Sequence, residues 1–465
     1  MSLSRYPRYP AYKDSGVEWL GEVPAHWEVR RLRNTVKSCQ NGTWGADPNG
    51  DDDAICVRVA DFDRLRFSVR LTEPTFRSIP RSEFAHKRLA CGDLLLEKSG
   101  GGENQPVGAV VQFDHEVDAV CSNFVASMPV AEGHVSRYLA YLHASLYSIR
   151  VNTRHIKQST GIQNLDADGY LAELVPIPTL KEQTEISLFL DRETARIDAL
   201  IEKKRRLIEL LQEQRAAIIT RAVTRGLDPH APTKNSGVEW LGEIPAHWSA
   251  LRLKQLLTQI EQGWSPDCEN RIAAPEEWGV MKAGCVNGGR FNQMEHKTLP
   301  AEVYPPKSLE IRPGDLLMSR ASGSRELVGS VAVVRECRSQ LLLCDKLFRL
   351  YPDDQNDARY LVYALSGKSA RAQIEVALSG GSGMANNIAQ SVVKDLLLGV
   401  PHREEQVRIA NFLDHETTRF DSVAKVVYRA MDQLLELRSS LITAAVTGAI
   451  DVRASLDADA RIDAA

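Results

Sequence analysis

The chain writes one phrase twice. Ser15–Trp27 reads SGVEWLGEVPAHW and Ser236–Trp248 reads SGVEWLGEIPAHW, so twelve of thirteen residues agree at an offset of 221. Three further echoes keep almost the same spacing. EQTEISLFLDRETARID from Glu182 returns as EQVRIANFLDHETTRFD from Glu405, and AVTRGLD from Ala222 returns as AVTGAID from Ala445, both at offset 223. CGDLLLEKSGG from Cys91 returns as PGDLLMSRASG from Pro313 at offset 222. A period this long means two tandem copies of a whole domain, because solenoid repeats recur every 20 to 50 residues. At 465 residues the chain is also too long for one ordinary core.

Each copy follows one order: opening phrase, variable body, proline-marked boundary, long helical segment. The boundaries are ELVPIPTLKEQ and LLLGVPHREEQ, where Pro176, Pro178 and Pro401 stand just ahead of helix-forming sequence. In the first helical segment Ile197, Leu200/Ile201, Leu207/Ile208, Leu211 and Ile218 recur in steps of three and four. Phe420, Val423, Val427, Leu434, Leu437 and Leu441 do so in the second. Neither run meets a proline or glycine before Gly226 or Gly448. Such stripes suit coiled-coil pairing, or packing of each stripe on its own body. Each helix of about 40 residues spans roughly 60 Å. Parallel pairing would force the second body to bridge that length backwards, so the expected pairing is antiparallel, with two bodies at the ends of a rod. The bodies carry short apolar runs that suit strands, AICVRVADF from Ala54, VGAVVQF from Val107 and VGSVAVVREC from Val328. They also carry helical patterns, SRYLAYLHASLYSIR from Ser136 and ARYLVYALSGKSARAQI from Ala358. The expected class is α/β (mixed α+β). The expected division is 1–178 and 227–400 for the bodies, 179–226 and 401–448 for the helices, and 449–465 for a tail.

Bulk properties exclude some classes. No stretch approaches the ~18 to 20 consecutive apolar residues of a membrane helix, and the start MSLSRYPRYPAYKD lacks the apolar segment of a signal peptide; the expectation is a cytoplasmic protein. The eight cysteines form no CxxC pair and no zinc-ligand spacing with histidine, and read as reduced, mostly buried thiols. The net charge of −4 does not point to nucleic acid, yet binding can rest on local patches. From Arg64 to Arg88 seven basic residues face only Glu73 and Glu83. That stretch reads as a phosphate-contacting patch or as plain solvated surface.

Catalytic signatures are missing. There is no GxxxxGK[ST] loop, no HExxH and no GxSxG, and SGGGENQPVG from Ser99 lacks the phosphate-loop lysine. Neither the glycine-rich cofactor loop nor the Asn/Asp-Pro-Pro-aromatic motif of a methyltransferase occurs. Glu202-Lys203-Lys204 has the Glu-x-Lys form of metal-dependent nucleases but falls inside a charged helix face. Two bodies, a rod and no catalytic constellation describe a binding or scaffolding protein.

The doubled opening phrase, the VPIPTLKEQ and GVPHREEQ boundaries, the FLDRETARID and FLDHETTRFD helix starts and the AVTRGLD and AVTGAID ends closely resemble the specificity subunit of type I restriction–modification systems, in the same order along essentially the whole chain. The resemblance implies two target-recognition domains that each read half of a bipartite DNA sequence, with the helices as a spacer. It implies no cofactor on this chain. Two modification subunits would supply S-adenosylmethionine-dependent N6-adenine methylation, and restriction subunits ATP- and Mg2+-dependent translocation and cleavage. A duplicated coiled-coil scaffold that binds proteins and not DNA is the alternative.

Candidate DNA contacts are Lys98 and Ser99 in the first copy and Arg320 and Ser322 in the second, each after an expected strand and before glycine turns. To these are added Gln163 and Asn164 in STGIQNL, and Asn386 and Asn387 in GSGMANNI. Asn and Gln can read adenine bidentately, and they can equally cap helices or close turns. Arg64 and Arg66 suit phosphate contacts better than base readout. Scaffold or partner-facing candidates are Trp19, Trp27, Trp240 and Trp248 of the opening phrases, with Glu182, Gln183, Phe189 and Leu190 and their counterparts Glu405, Gln406, Phe412 and Leu413. The tryptophans are expected to anchor each body by packing.

Overall fold

A computed structural model describes residues 6–159, 161–379 and 386–453. It resolves two compact units, 1–204 with 429–465 and 205–428, so the division falls inside both long helices.

In the first unit the opening phrase folds as a hairpin, Tyr12–Asp14 against Glu22–Pro24. The strand after it, Glu28–Arg31, pairs antiparallel with Leu174–Ile177, so the proline-marked boundary closes the body onto its own beginning. Between them lies a six-stranded sheet in the order Gln40–Asn41, Val125–Met128, Leu94–Glu97, Val110–Gln112, Ser68–Val69, Phe62–Asp63. Leu94–Glu97 is buried on both faces, which is why its first three residues are all leucine. Helix α1 (Ser136–Ser148) covers the sheet with Tyr138, Leu139 and Leu142, all fully buried. The body then runs into α2 (Leu180–Arg225).

The second unit repeats these parts: hairpin Thr233–Asn235 with Glu243–Pro245, and Ser249–Arg252 pairing Leu397–Val400. Its main sheet runs Leu257–Gln262, Leu347–Pro352, Leu316–Ser319, Val331–Val333. The expected helix from Ala358 is interrupted. It forms α3 (Ala358–Ser366), breaks at Gly367, where ψ is 157°, and resumes as Lys368–Ser379. A Cβ at Gly367 would come within 3.1 Å of Val223, so the break lets the chain pass close to α2. The unit ends in α4 (Arg403–Val446).

At 46 and 44 residues, α2 and α4 are roughly 69 and 66 Å long. In the first unit Ile197 and Ile201 share a core with Leu441 and Ile442. Arg438 pairs with Asp198 at 2.9 Å, while Val446 lies next to Pro176, both carbonyls accepting from Tyr138. The α4 number falls as the chain runs from Pro176, just ahead of α2, to Asp198 within it, which is antiparallel packing. In the second unit Ile219, Ala222 and Val223 share a core with Ile409, Ala410 and Leu413. Within each unit the stripes therefore pack on the body and on the other helix at once.

The doubled phrase now has a physical role. Trp27 and Trp248 are fully buried, and their indole N–H groups donate to Glu182 (3.3 Å) and Glu405 (3.2 Å). His26 and His247 contact the same carboxylates at 2.8 and 2.7 Å. Gln183 accepts from the Val135 N–H that precedes α1 and donates to the Pro178 carbonyl. Gln406 does the same for Asp357 and Pro401. The Glu-Gln pair thus fastens the opening phrase and the body's helix to the first turn of each long helix. Trp19 is half-buried and packs on the first core, whereas its counterpart Trp240 is exposed. Phe189 is buried under Tyr6, with ring centroids 5.3 Å apart, and Leu190 and Leu413 are buried; Phe412 stands 39% exposed.

All eight cysteines are free. Four are buried, Cys39, Cys268 and Cys337 are half-buried, and Cys91 is exposed. Among the described residues no group of His, Cys, Asp or Glu is arranged to hold a metal ion, and no helix is long and apolar enough to cross a membrane. Glu202-Lys203-Lys204 lies within α2. Residues 160 and 381–385 of the two polar loops, and 454–465 of the tail, lie outside the described residues.

Candidate nucleic-acid interface

In the first unit Lys98 follows the buried strand Leu94–Glu97 and leads into Ser99–Gly100. That short strand pairs with Ile162–Leu165 so that Ser99 faces Asn164 and Gly100 faces Gln163. Ile162–Leu165 pairs in turn with Ile156–Ser159. Four residues far apart in sequence therefore meet on one three-stranded ladder. Lys98 Nζ donates to Asn41 Oδ1 at 2.7 Å, and the Ser99 hydroxyl donates to Asn164 Oδ1 at 2.6 Å.

Strand alternation separates the two amides. Asn164 is exposed, while Gln163 points inward, 8% exposed, and its Oε1 accepts from Val107 N–H at 3.3 Å. Gln163 is thus committed to holding the loop from Gly101 to Val107, and its carbonyl oxygen is not free to read a base.

The second unit repeats the central pairing of this ladder as a single bridge. Ala321 bridges Asn387, Ser322 N–H donates to the Asn386 carbonyl at 3.1 Å, and Ile388 N–H donates to the Arg320 carbonyl at 2.9 Å. The last bond matches Leu165 N–H to the Lys98 carbonyl at 2.8 Å. Asn386 and Asn387 are exposed, and the Asn386 side chain donates to the Gly323 carbonyl.

Arg64 and Arg66 lie elsewhere, and they differ from each other. Arg64 is tied to Glu97, 2.8 Å away and 1% exposed, inside the body. Burial pushes the Glu97 carboxyl pKa up, and Arg64 partly offsets that rise. Releasing this arginine to a phosphate would strand a buried carboxylate. Arg66 is 70% exposed and only 3.5 Å from Asp63. All seven basic residues from Arg64 to Arg88 have a carboxylate within 4.0 Å, so the stretch is locally compensated. Exposed pairs of this kind hold their partners by only about 0 to 1 kcal/mol. Arg66 remains able to exchange and Arg64 does not.

Two side chains join the site that the sequence reading did not single out. Asn41 receives Lys98, and its counterpart Gln262 donates to the Asp345 carbonyl, which also receives Arg320 at 3.5 Å. The signal was present in the echo of Asn41-Gly42 by Gln262-Gly263 at offset 221. In each unit a cation bonded to a neutral oxygen stands beside an amide and a polar ladder. Such groups can donate to and accept from groove edges, and the cation can meet a phosphate.

No family model matches the chain. It is 22% identical over 443 residues to the type I restriction enzyme EcoKI specificity subunit of Escherichia coli K12, covering 92% of this chain and 90% of that one. It is 24% identical over 242 residues to the EcoEI specificity subunit of Escherichia coli, an alignment that spans 52% of this chain but only 40% of that relative. A chain solved in work on complex assembly and conformational transition of the type I R-M system superposes with a TM-score of 0.66 at 17% identity, over 91% of this chain and 98% of that one. The chain is related to the type I restriction enzyme specificity subunits. The mixed α/β fold with long helices is the one the solved relative carries.

Against that relationship the division of residues is informative. The Trp-to-Glu bonds and the paired Gln bonds recur in both units. The ladder residues share backbone geometry but differ in side chain, Ser99 standing where the second copy has Ala321. A frame held constant and a polar edge that varies are what two different half-sites would require.

Proposed function

We propose that this chain is the DNA sequence-recognition subunit of a type I restriction–modification complex, and that its two bodies each read one half of a bipartite target. The observation that carries this reading is likeness to a specificity subunit over nine-tenths of both chains. Lys98, Ser99, Asn164 and the added Asn41 read or grip one half-site; Arg320, Ser322, Asn386, Asn387 and Gln262 the other. Arg66 serves as a phosphate contact. The chain itself performs no chemical step. Two modification subunits bring S-adenosylmethionine and methylate adenine N6, and restriction subunits bring ATP- and Mg2+-dependent cleavage, all in the cytoplasm. Scaffold positions around Glu182 and Glu405 hold the bodies in the posture those subunits engage. Genome-wide adenine-methylation mapping in cells expressing this chain with its modification partner tests the reading. The expected result is new methylation at a two-part sequence with a fixed gap; a contiguous motif, or no new methylation, would overturn it.

A further inference from the structure

Six side chains recur at the same spacing and build the same cradle in both units. In the first unit these are Arg137, Tyr141, Asp191, Thr194, Asp198 and Arg438; in the second, Arg359, Tyr363, Asp414, Thr417, Asp421 and Arg215. The Tyr141 hydroxyl meets Asp191 (2.7 Å) and Thr194 (3.3 Å), and that of Tyr363 meets Asp414 (2.8 Å) and Thr417 (3.2 Å).

The first cradle is full. Phe67 sits edge-on to Tyr141 with centroids 5.6 Å apart, and the Arg438 guanidinium lies over its other side at 5.2 Å. Arg438 donates to the Leu65 carbonyl and Arg137 donates to the Arg66 carbonyl. Phe67 has φ +56°, a conformation a bulky side chain adopts only when its surroundings hold it there. The cradle therefore grips a turn with an aromatic side chain and two preceding carbonyls.

The second cradle is open. At the matching offset the chain has Gly288 and Gly289, and a Cβ on either would meet nothing within 4 Å. What remains is a cavity of about 640 Å³ lined by Arg215, Tyr363, Asp414 and Thr417. Asp421, the counterpart of Asp198, pairs with Arg290. Arg359 has turned to Asn411 and Asp414. Arg215 Nε is buried with no hydrogen-bond partner. A buried guanidinium N–H with nothing to donate to is a costly group that a ligand oxygen would satisfy.

We propose that the second cradle is a docking site for a partner protein's turn that presents a phenylalanine or tyrosine, its ring against Tyr363 and a preceding carbonyl on Arg215. The argument for this occupant is complementarity: Tyr363 and Arg215 are the counterparts of the Tyr141 ring and the Arg438 guanidinium that hold Leu65–Phe67 in the first unit.

The test uses the full chain and a fluorescent nine-residue peptide of sequence FDRLRFSVR, which copies residues 62–70. Fluorescence anisotropy should show saturable binding to one site, weakened about tenfold or more by Phe67→Ala in the peptide or Arg215→Ala in the chain. The peptide control does not depend on how a protein variant folds. Phe291→Ala, in a residue that also lines the cavity, should change affinity less than about twofold. The proposal is overturned by absent saturation, by equal binding of the alanine peptide, or by binding that survives Arg215→Ala. It is also overturned if the peptide binds only after Phe291→Ala, because the chain's own loop would then be the occupant.

Discussion

Replacing Glu182 by alanine should loosen the first unit far more than replacing Glu405 loosens the second. Glu182 is 5% exposed and accepts from Trp27, from His26, and from both the hydroxyl (2.8 Å) and the backbone N–H (3.2 Å) of Thr179. Thr179 returns a bond to the Glu182 N–H at 3.3 Å, which completes a capping box on α2. Burial acts to raise the Glu182 pKa, and the bonds from His26, Thr179 and Trp27 outweigh it, so the carboxyl titrates below its usual range. Glu182→Ala strands the buried Trp27 N–H, at about 1 to 3 kcal/mol, and removes the cap, at about 1 kcal/mol. The sum is about 3 kcal/mol. Glu405 is half-buried and holds His247 and Trp248, with His402 in place of the threonine. Glu405→Ala should cost about 1.5 kcal/mol. Hydrogen exchange of the full chain, followed by mass spectrometry on peptides spanning 174–190 and 397–413, reads the two sites separately. Local opening should rise about 100-fold in the first and about 10-fold in the second. Equal effects, or less than a threefold rise for Glu182→Ala, would refute the assignment of the carboxylate as the clamp.

Three further outcomes follow from the same contacts. Gly448→Ala should destabilise by about 3 kcal/mol in thermal unfolding and Gly226→Ala by about 1; both glycines have φ near +75°, but a Cβ on Gly448 would overlap Pro24 Cδ, whereas on Gly226 its nearest neighbours are 3.4 Å away. Arg64→Ala leaves Glu97 buried and unpaired. The Glu97 pKa is already raised by burial, so the native state keeps a proton the unfolded chain gives up, and stability falls as pH rises through that window. The urea midpoint of Arg64→Ala should therefore drop more, relative to the parent chain, at pH 8 than at pH 5. With the modification partner, Asn164→Ala should relax one half of the methylated sequence and Asn387→Ala the other, each by about 10- to 100-fold in discrimination, while Gln163→Ala costs stability with little change in sequence preference.

The frame was legible in the sequence because it is periodic and written twice. Proline and glycine mark the helix ends, and the apolar stripes of α2 and α4 include residues that become core, Ile197, Ile201 and Leu441 among them, while Leu207 and Val423 of the same stripes stand exposed. The site was legible only as a set of addresses. Gln163 and Asn164 were equivalent candidates until strand pairing turned one inward and the other out. Arg64 looked like a free cation because Glu97 is 33 residues away and inside the sheet. Phe189 and Phe412 occupy equal positions, yet only Phe189 is covered, by a tyrosine that lies outside the repeat. These outcomes depend on contacts between distant segments, which local patterns do not encode.

The repeated frame also explains why the two halves can diverge without losing the fold. Opening phrase, Glu-Gln pair and terminal glycine meet at one buried knot in each unit, around Trp27 and around Trp248. In the first unit the knot joins the start of α2 to the end of α4; in the second it joins the start of α4 to the end of α2. The contacts common to the two knots are made by residues of the repeated phrases or by backbone, while the Tyr9 ring and the Thr179 hydroxyl add to the first. A loop between strands can then change, as the turn at Phe67 has changed to Gly288-Gly289, without any knot contact being lost. The cost of such a change is local, an opened cradle and an unsatisfied Arg215, and that freedom is what two readers of different sequences on one scaffold need.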